Sequence, residues 1–145
     1  MPKSVYVFDA YGTLFDVNAA ARQASAEPDH AALADHWPTV AANWRRKQLE
    51  YSWLRAVADR HCDFWKVTED GLDWALEASG LSDPATRERL LALYWELAAF
   101  REVPEMLATL KARGAKTAIL SNGSPEMLKA AVHSAGIAEF LDAIL

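Results

Sequence analysis

The chain has 145 residues, a formal net charge of -5 and one cysteine. Hydrophobic residues make up 52% and charged residues 24%, the composition of a folded domain, and the length predicts one domain, or one domain with an insertion. The negative charge argues against nucleic acid as a main partner, no stretch approaches the roughly 18 apolar residues of a membrane span, and a lone cysteine excludes an internal disulfide framework.

Met1-Pro2-Lys3-Ser4 runs straight into the first apolar stretch with no signal-peptide core, so a cytoplasmic location is expected. Val5-Tyr6-Val7-Phe8 is apolar, aromatic and β-branched, the pattern of a buried strand. It ends at Asp9 and continues Ala10-Tyr11-Gly12-Thr13-Leu14-Phe15-Asp16. A carboxylate at the end of a buried strand sits where open α/β sheets place their chemistry. Gly12 lets the backbone turn sharply, and Thr13 brings a hydroxyl donor near the acid. The same residues also fit a strand closed by an Asx-type turn, with Asp9 capping local amides.

Asp16 to Ala26 then reads as a helix, capped by Asp16 or Asn18 and rich in alanine, until Glu27-Pro28-Asp29 breaks it. A long segment from about Ala31 to Cys62 carries Val40, Trp44, Leu49, Trp53, Leu54 and Val57 near helical spacing, with Pro38 kinking it or starting a new helix. Cys62 lies beside His61, but sequence neighbours point apart on a helix, so a buried structural thiol is expected. Another helix starts near Thr68 and ends at Ser79-Gly80, and Asp83-Pro84 opens the next. Residues 17 to about 100 thus read as wholly helical, an insert after the first strand.

The α/β pattern then resumes. Val103 to Arg113 is a helix, Lys116 to Ser121 a short buried strand, Asn122-Gly123-Ser124 a turn, Pro125 to Ala135 a helix, and Phe140 to Leu145 enters a third strand. Ser121 and Asn122 close the second strand ahead of a helix N-terminus, a placement that favours an anion. A Ser/Asn turn with a helix cap explains them equally well. In Trp44-Arg45-Arg46-Lys47-Gln48-Leu49-Glu50-Tyr51-Ser52-Trp53-Leu54-Arg55, an amphipathic helix with Leu49 and Trp53 inward accounts for the pattern by itself.

Taken together, the three segments resemble a known family. Asp9-x-Tyr11-Gly12-Thr13-Leu14 resembles the first motif of the haloacid dehalogenase superfamily, whose strand-end Asp is the nucleophile. Most phosphatases of that superfamily have a second Asp two residues on, where this chain has Tyr11. The Asp-Ala-Tyr form, the Ser121-Asn122-Gly123 strand end and the arginine segment resemble the L-2-haloacid dehalogenases. The resemblance implies a parallel, Rossmann-like α/β sheet with a helical cap inserted after strand one: residues 1–16 and 101–145 as core, 17–100 as cap. It implies hydrolytic dehalogenation of short 2-haloalkanoic acids with Asp9 and Arg45 as catalytic residues. Tyr11, Thr13, Leu49, Phe64, Ser121 and Asn122 would bind substrate. Arg46 stands where relatives often carry Gln. No metal and no cofactor are implied, and a homodimer through the cap helices is expected. The alternatives are another hydrolase of the superfamily, such as a Mg²⁺-dependent phosphatase, or a non-catalytic interaction module.

Members of that family continue beyond the residues matched here, with a lysine that keeps the nucleophilic Asp charged and a further Ser-Asn-Asp motif that positions water. The expectation is therefore a truncated chain, or one completed by a partner, inactive as residues 1–145 alone and with strand one left open on one edge.

Overall fold

The computed structural model describes residues 4–145; the reading of Met1-Pro2-Lys3 falls outside the described residues. In chain order the elements are β1 (Val5–Phe8), α1 (Ala19–Ser25), a 3-10 turn (Pro28–Leu33), α2 (Trp37–Val57), α3 (Phe64–Ala78), α4 (Pro84–Trp95), α5 (Val103–Ala112), β2 (Lys116–Ile119), α6 (Pro125–Ser134), a second 3-10 turn (Ala138–Phe140) and β3 (Ala143–Ile144). They fall into two compact units: residues up to Asp16 with Trp95–Leu145, and Val17–Tyr94.

The first unit is built on a parallel sheet of order β1-β2-β3. Phe8 pairs with Ile119, and Ile119 with Ile144, so the strands share one direction and their C-terminal ends lie side by side. Parallel neighbours need a crossover connection, and α6 supplies the one between β2 and β3. β2 is central, with Thr117, Ala118 and Ile119 buried. Asp142 fixes β3 beside it by accepting from Thr117 N and from Lys116 Nζ at 2.9 and 2.7 Å. β1 is not the buried strand that its composition alone predicts, and it fits the open edge expected of strand one: Val5, Tyr6 and Val7 are 65%, 43% and 54% exposed. Among the described residues it pairs with β2 alone.

The second unit is helical. α2 and α3 pack along much of their length. Pro38 sits in the first turn of α2, where its missing N–H costs nothing, so it starts a helix rather than kinking one. α3 begins four residues ahead of the expected Thr68, because Asp63 caps it by accepting from Trp65 N at 2.8 Å. Asp83 does the same for α4, taking Thr86 N at 3.0 Å. The core holds Trp44, Leu33, Leu72 and Leu90, each almost fully buried.

Two expectations need correction. Residues 96–100 contain no helix; they belong to the sheet unit, where Asp16 N donates to Ala98 O and Phe100 N to Leu14 O, both at 2.9 Å. Cys62 is half-buried rather than buried, because it lies past the end of α2 and its Sγ accepts from Arg55 Nη1 at 2.8 Å. Among the described residues no helix is long and apolar enough to cross a membrane.

Candidate functional site

In the sheet unit, β1 delivers Asp9 to the C-terminal edge of the sheet, with its carboxylate exposed. The following loop is a tight fold rather than a simple turn. Gly12 adopts φ +85°, a region closed to most side chains. This lets the amides of Thr13, Leu14 and Phe15 converge on Ala10 O, at 3.2, 2.9 and 3.1 Å. The loop then holds Thr13 so that its Oγ1 donates to Asp9 Oδ2 at 3.0 Å. A hydroxyl donating to a carboxylate fixes one oxygen and leaves the other to act.

The neighbouring strand end brings Ser121 and Asn122 to the same edge. Leu120 N donates to Phe8 O at 2.9 Å, which locks the residue before Ser121 against the residue before Asp9. Ser121 is half-buried, and its Oγ accepts from Gly123 N at 3.1 Å; Asn122 is exposed. Ser124 then caps α6, accepting from Met127 N. Tyr11 is 3% exposed, its ring 6.0 Å from that of Phe15. The structure gives Gly123 a purpose that the turn reading did not: a Cβ there would stand 2.8 Å from Tyr11 Cε2 and 3.0 Å from Leu128 Cδ2. Only glycine lets the second loop close over the Tyr11 ring. Asp9, Tyr11, Thr13, Ser121 and Asn122 are thus brought to one edge by two adjacent strand ends.

In the helical unit, Arg45 is half-buried on α2 and donates from Nη1 to Gln48 Oε1 at 2.9 Å. Arg46 points elsewhere: it is exposed, donates to Asn43 Oδ1 at 2.9 Å and lies 5.7 Å from the Trp74 ring centroid. Leu49 is half-buried, and Phe64, the first residue of α3, is buried. A cleft too narrow for water is lined by Val17, Ala41, Trp44, Arg45, Gln48 and Tyr94.

Sequence reasoning missed the polar centre behind Arg45. Gln48 is 1% exposed, yet every polar atom of its amide has a partner. Nε2 donates to Thr68 Oγ1 at 2.8 Å and to Tyr94 Oη at 3.0 Å. Thr68 Oγ1 donates in turn to Phe64 O, and Trp44 Nε1 donates to Thr68 O, both at 2.8 Å. Burial pushes the Tyr94 hydroxyl up to about 12, against smaller opposing effects from Gln48 and Arg45, so it stays neutral. Gly71 permits this assembly, since a Cβ there would lie 3.1 Å from Gln48 N and 3.3 Å from Trp44 O. A glycine within an otherwise regular helix was the available signal. Among the described residues no cluster of three or more His, Cys, Asp or Glu side chains is placed to hold a metal ion.

The family description "haloacid dehalogenase-like hydrolase" matches residues 3–145. (S)-2-haloacid dehalogenase 1 of Pseudomonas sp. (strain CBS-3) is 44% identical over 142 residues, covering 97% of this chain and 60% of the relative. (S)-2-haloacid dehalogenase of Pseudomonas sp. (strain YL) is 43% identical over 139 residues, covering 95% and 58%. Among solved structures, the L-2-haloacid dehalogenase from Xanthobacter autotrophicus with chloropropionic acid covalently bound superposes with a TM-score of 0.85 at 39% identity. That match covers 99% of this chain and 56% of the other. The chain therefore spans 60% or less of the length of each of these relatives.

Proposed function

Because the chain belongs to the haloacid dehalogenase-like hydrolases, we propose that it supplies the nucleophile and the anion-binding groups for hydrolysis of short (S)-2-haloalkanoic acids to 2-hydroxy acids. The observation that carries this reading is Asp9: an exposed carboxylate at the end of β1, oriented by Thr13 and one strand from Ser121. Tyr11, rather than a second acid, follows it. Relatives named (S)-2-haloacid dehalogenase, and a structural neighbour with chloropropionic acid covalently bound, support the substrate class.

An oxygen of Asp9 attacks C2 of the substrate from the side opposite the halogen. The carbon–oxygen bond forms as the carbon–halogen pair departs with the halide, which inverts C2 and leaves an aspartyl ester. Water then adds to the ester carbonyl, the alcohol departs as a 2-hydroxy acid, and Asp9 returns as a carboxylate with release of a proton. This is covalent catalysis by a carboxylate. Ser121 and Asn122 hold the substrate carboxylate, while Tyr11, Leu49 and Phe64 line its apolar side. Arg45 stabilises the charge that develops on the halide, a task in which a preorganised donor out of bulk water is worth more than solvent. No metal is assigned a role, since the leaving group is a halide and needs no phosphate neutralisation.

The helical unit serves as the cap and the sheet unit as the catalytic core. A homodimer paired through α2 is supported by Trp53, Leu54 and Val57, which are 64%, 61% and 88% exposed. We place the protein in the cytoplasm.

The test is isotopic and uses the full-length protein. Multiple turnover of 2-chloropropionate in ¹⁸O-labelled water should place ¹⁸O in the peptide that contains Asp9. In a single turnover the hydroxy acid should carry unlabelled oxygen from Asp9. Label in the product of a single turnover would mean direct attack by water and would overturn the reading.

A further inference from the structure

The amide of Gln48 has one orientation only, and a chain of directional hydrogen bonds sets it. Thr68 Oγ1 spends its single proton on Phe64 O, one helical turn back. Its lone pairs therefore require a donor, and the buried group in reach is Gln48 Nε2, at 2.8 Å. With Nε2 turned to Thr68, Oε1 is the atom left facing Arg45 Nη1, while Tyr94 Oη lies against both amide atoms, 3.0 Å from Nε2 and 3.3 Å from Oε1. A guanidinium has donors and no acceptor, so only this orientation of the amide can hold it. The backbone beneath is equally constrained. Trp44 Nε1 ties α2 to Thr68 O, the Trp44 and Tyr94 rings lie 4.9 Å apart, and α3 meets the Gln48 turn at Gly71.

We propose that Gln48, oriented by Thr68 and held in place by Tyr94, is the positioning residue that aims the Arg45 guanidinium at the departing halide. The proposal rests on the role given to Arg45 above. An amide suits the task better than a carboxylate, because it is a neutral acceptor: it fixes the direction of the guanidinium without cancelling its charge. A glutamate at this position would cancel that charge and could not donate to Thr68 or Tyr94.

The leaving group supplies a readout that a merely structural role would not move. Chloride leaves less readily than bromide, so its departure depends more on an aimed cation. In the full-length protein, Gln48→Met should lower kcat for 2-chloropropionate by about tenfold to a hundredfold, the range for misplacing a catalytic group by an ångström or so. The loss for 2-bromopropionate should be clearly smaller, and KM should change little for either. Arg45→Lys should show the same shift in the bromide-to-chloride ratio, and Gln48→Met should add little to it in the Arg45→Lys background. Tyr94→Phe deletes one hydroxyl; it should shift the ratio in the same direction by less, and it decides the matter if Gln48→Met fails to fold. Equal losses for the two halides, or losses that multiply fully in the double variant, would overturn the proposal while leaving the role of Arg45 intact. An unchanged ratio and rate in Arg45→Lys would instead remove that role, and the proposal with it.

Discussion

Gly71→Ala offers a test in which two effects of opposite sign compete. In an exposed helix interior, alanine in place of glycine is worth about 1 kcal/mol of added stability. Gly71 is buried midway along α3, and a Cβ there would meet Gln48 N at 3.1 Å, Trp44 O at 3.3 Å and Gln48 Cα at 3.4 Å. All three are backbone atoms of one helix, so no side chain can rotate aside; α2 itself must move by a few tenths of an ångström. Overpacking of this kind costs about 1–3 kcal/mol. The net expectation is a loss of about 0–2 kcal/mol after the helix gain is subtracted. Urea denaturation of the full-length wild type and variant, compared at equal m-value, gives the number. Because the displaced residues are Trp44 and Gln48, the variant should also lose halide-release rate beyond what its unfolded fraction explains. A variant stabilised by the full helix increment, with unchanged turnover, would show that α2 and α3 do not approach as closely as the structure has them.

Asp9→Asn should abolish halide release while leaving thermal unfolding near that of the wild type, since the amide is isosteric, exposed and non-nucleophilic; turnover at an appreciable rate would refute the assignment. Gly123→Ala should drive a methyl against the Tyr11 ring and Leu128, lowering Tm and raising KM for 2-chloropropionate; unchanged values would mean that the loop has room the structure denies it. Arg46→Ala should keep near-normal kinetics, because Arg46 turns to Asn43 and Trp74; a loss like that expected of Arg45→Lys would place the functional arginine one residue later. Burial pushes Asp70 up, but its ion pairs with Lys66 and Arg55, each at 2.6 Å, outweigh this and hold it below its ordinary value. A carboxylate lowered on folding contributes stability above its unfolded pKa and loses it as pH falls through the folded one. Stability should therefore decline below about pH 4, and Asp70→Asn, less stable at neutrality, should show a shallower acid limb in urea titrations at a series of pH values.

The parts of the fold legible in the sequence are those fixed by local chemistry. The alternation from β1 to β2 to β3 could be read from short apolar runs, and the starts of α4 and α6 from Asp83-Pro84 and Ser124-Pro125. Asp9 and Ser121 stood out because polar residues that end apolar strands are conspicuous. The start of α3 was misplaced because Asp63 is one polar residue among several, and nothing local distinguishes the one that caps. The exposure of β1 was not legible from its composition, which records the pairing a strand is suited for rather than the neighbours it has in this chain. Gln48, Thr68 and Tyr94 were invisible for another reason. Each is an ordinary residue on a helix, and they gain meaning only when Gln48 meets partners 20 and 46 positions away. Hydrophobic periodicity cannot register a buried amide, because it scores glutamine as solvent-facing.

That blind spot bears on how an acidic protein would handle the anionic substrate proposed for it. At a net charge of -5, the chain would not attract the haloacid proposed as its substrate by its overall field, so on that proposal affinity comes from local donors. In the helical unit, Arg55, Arg87 and Arg89 are each paired with a carboxylate: Asp70, Asp73 and Glu27. Such pairs anchor helices, but each cancels the cation it holds. Arg45 donates to a neutral amide, whose orientation is set from behind by Thr68. The fixed direction comes from hydrogen bonds buried where water cannot compete for them, and the acceptor contributes no charge of its own. The role proposed for Arg45 calls for both properties, and Gln48 supplies both at the Nη1 it accepts from.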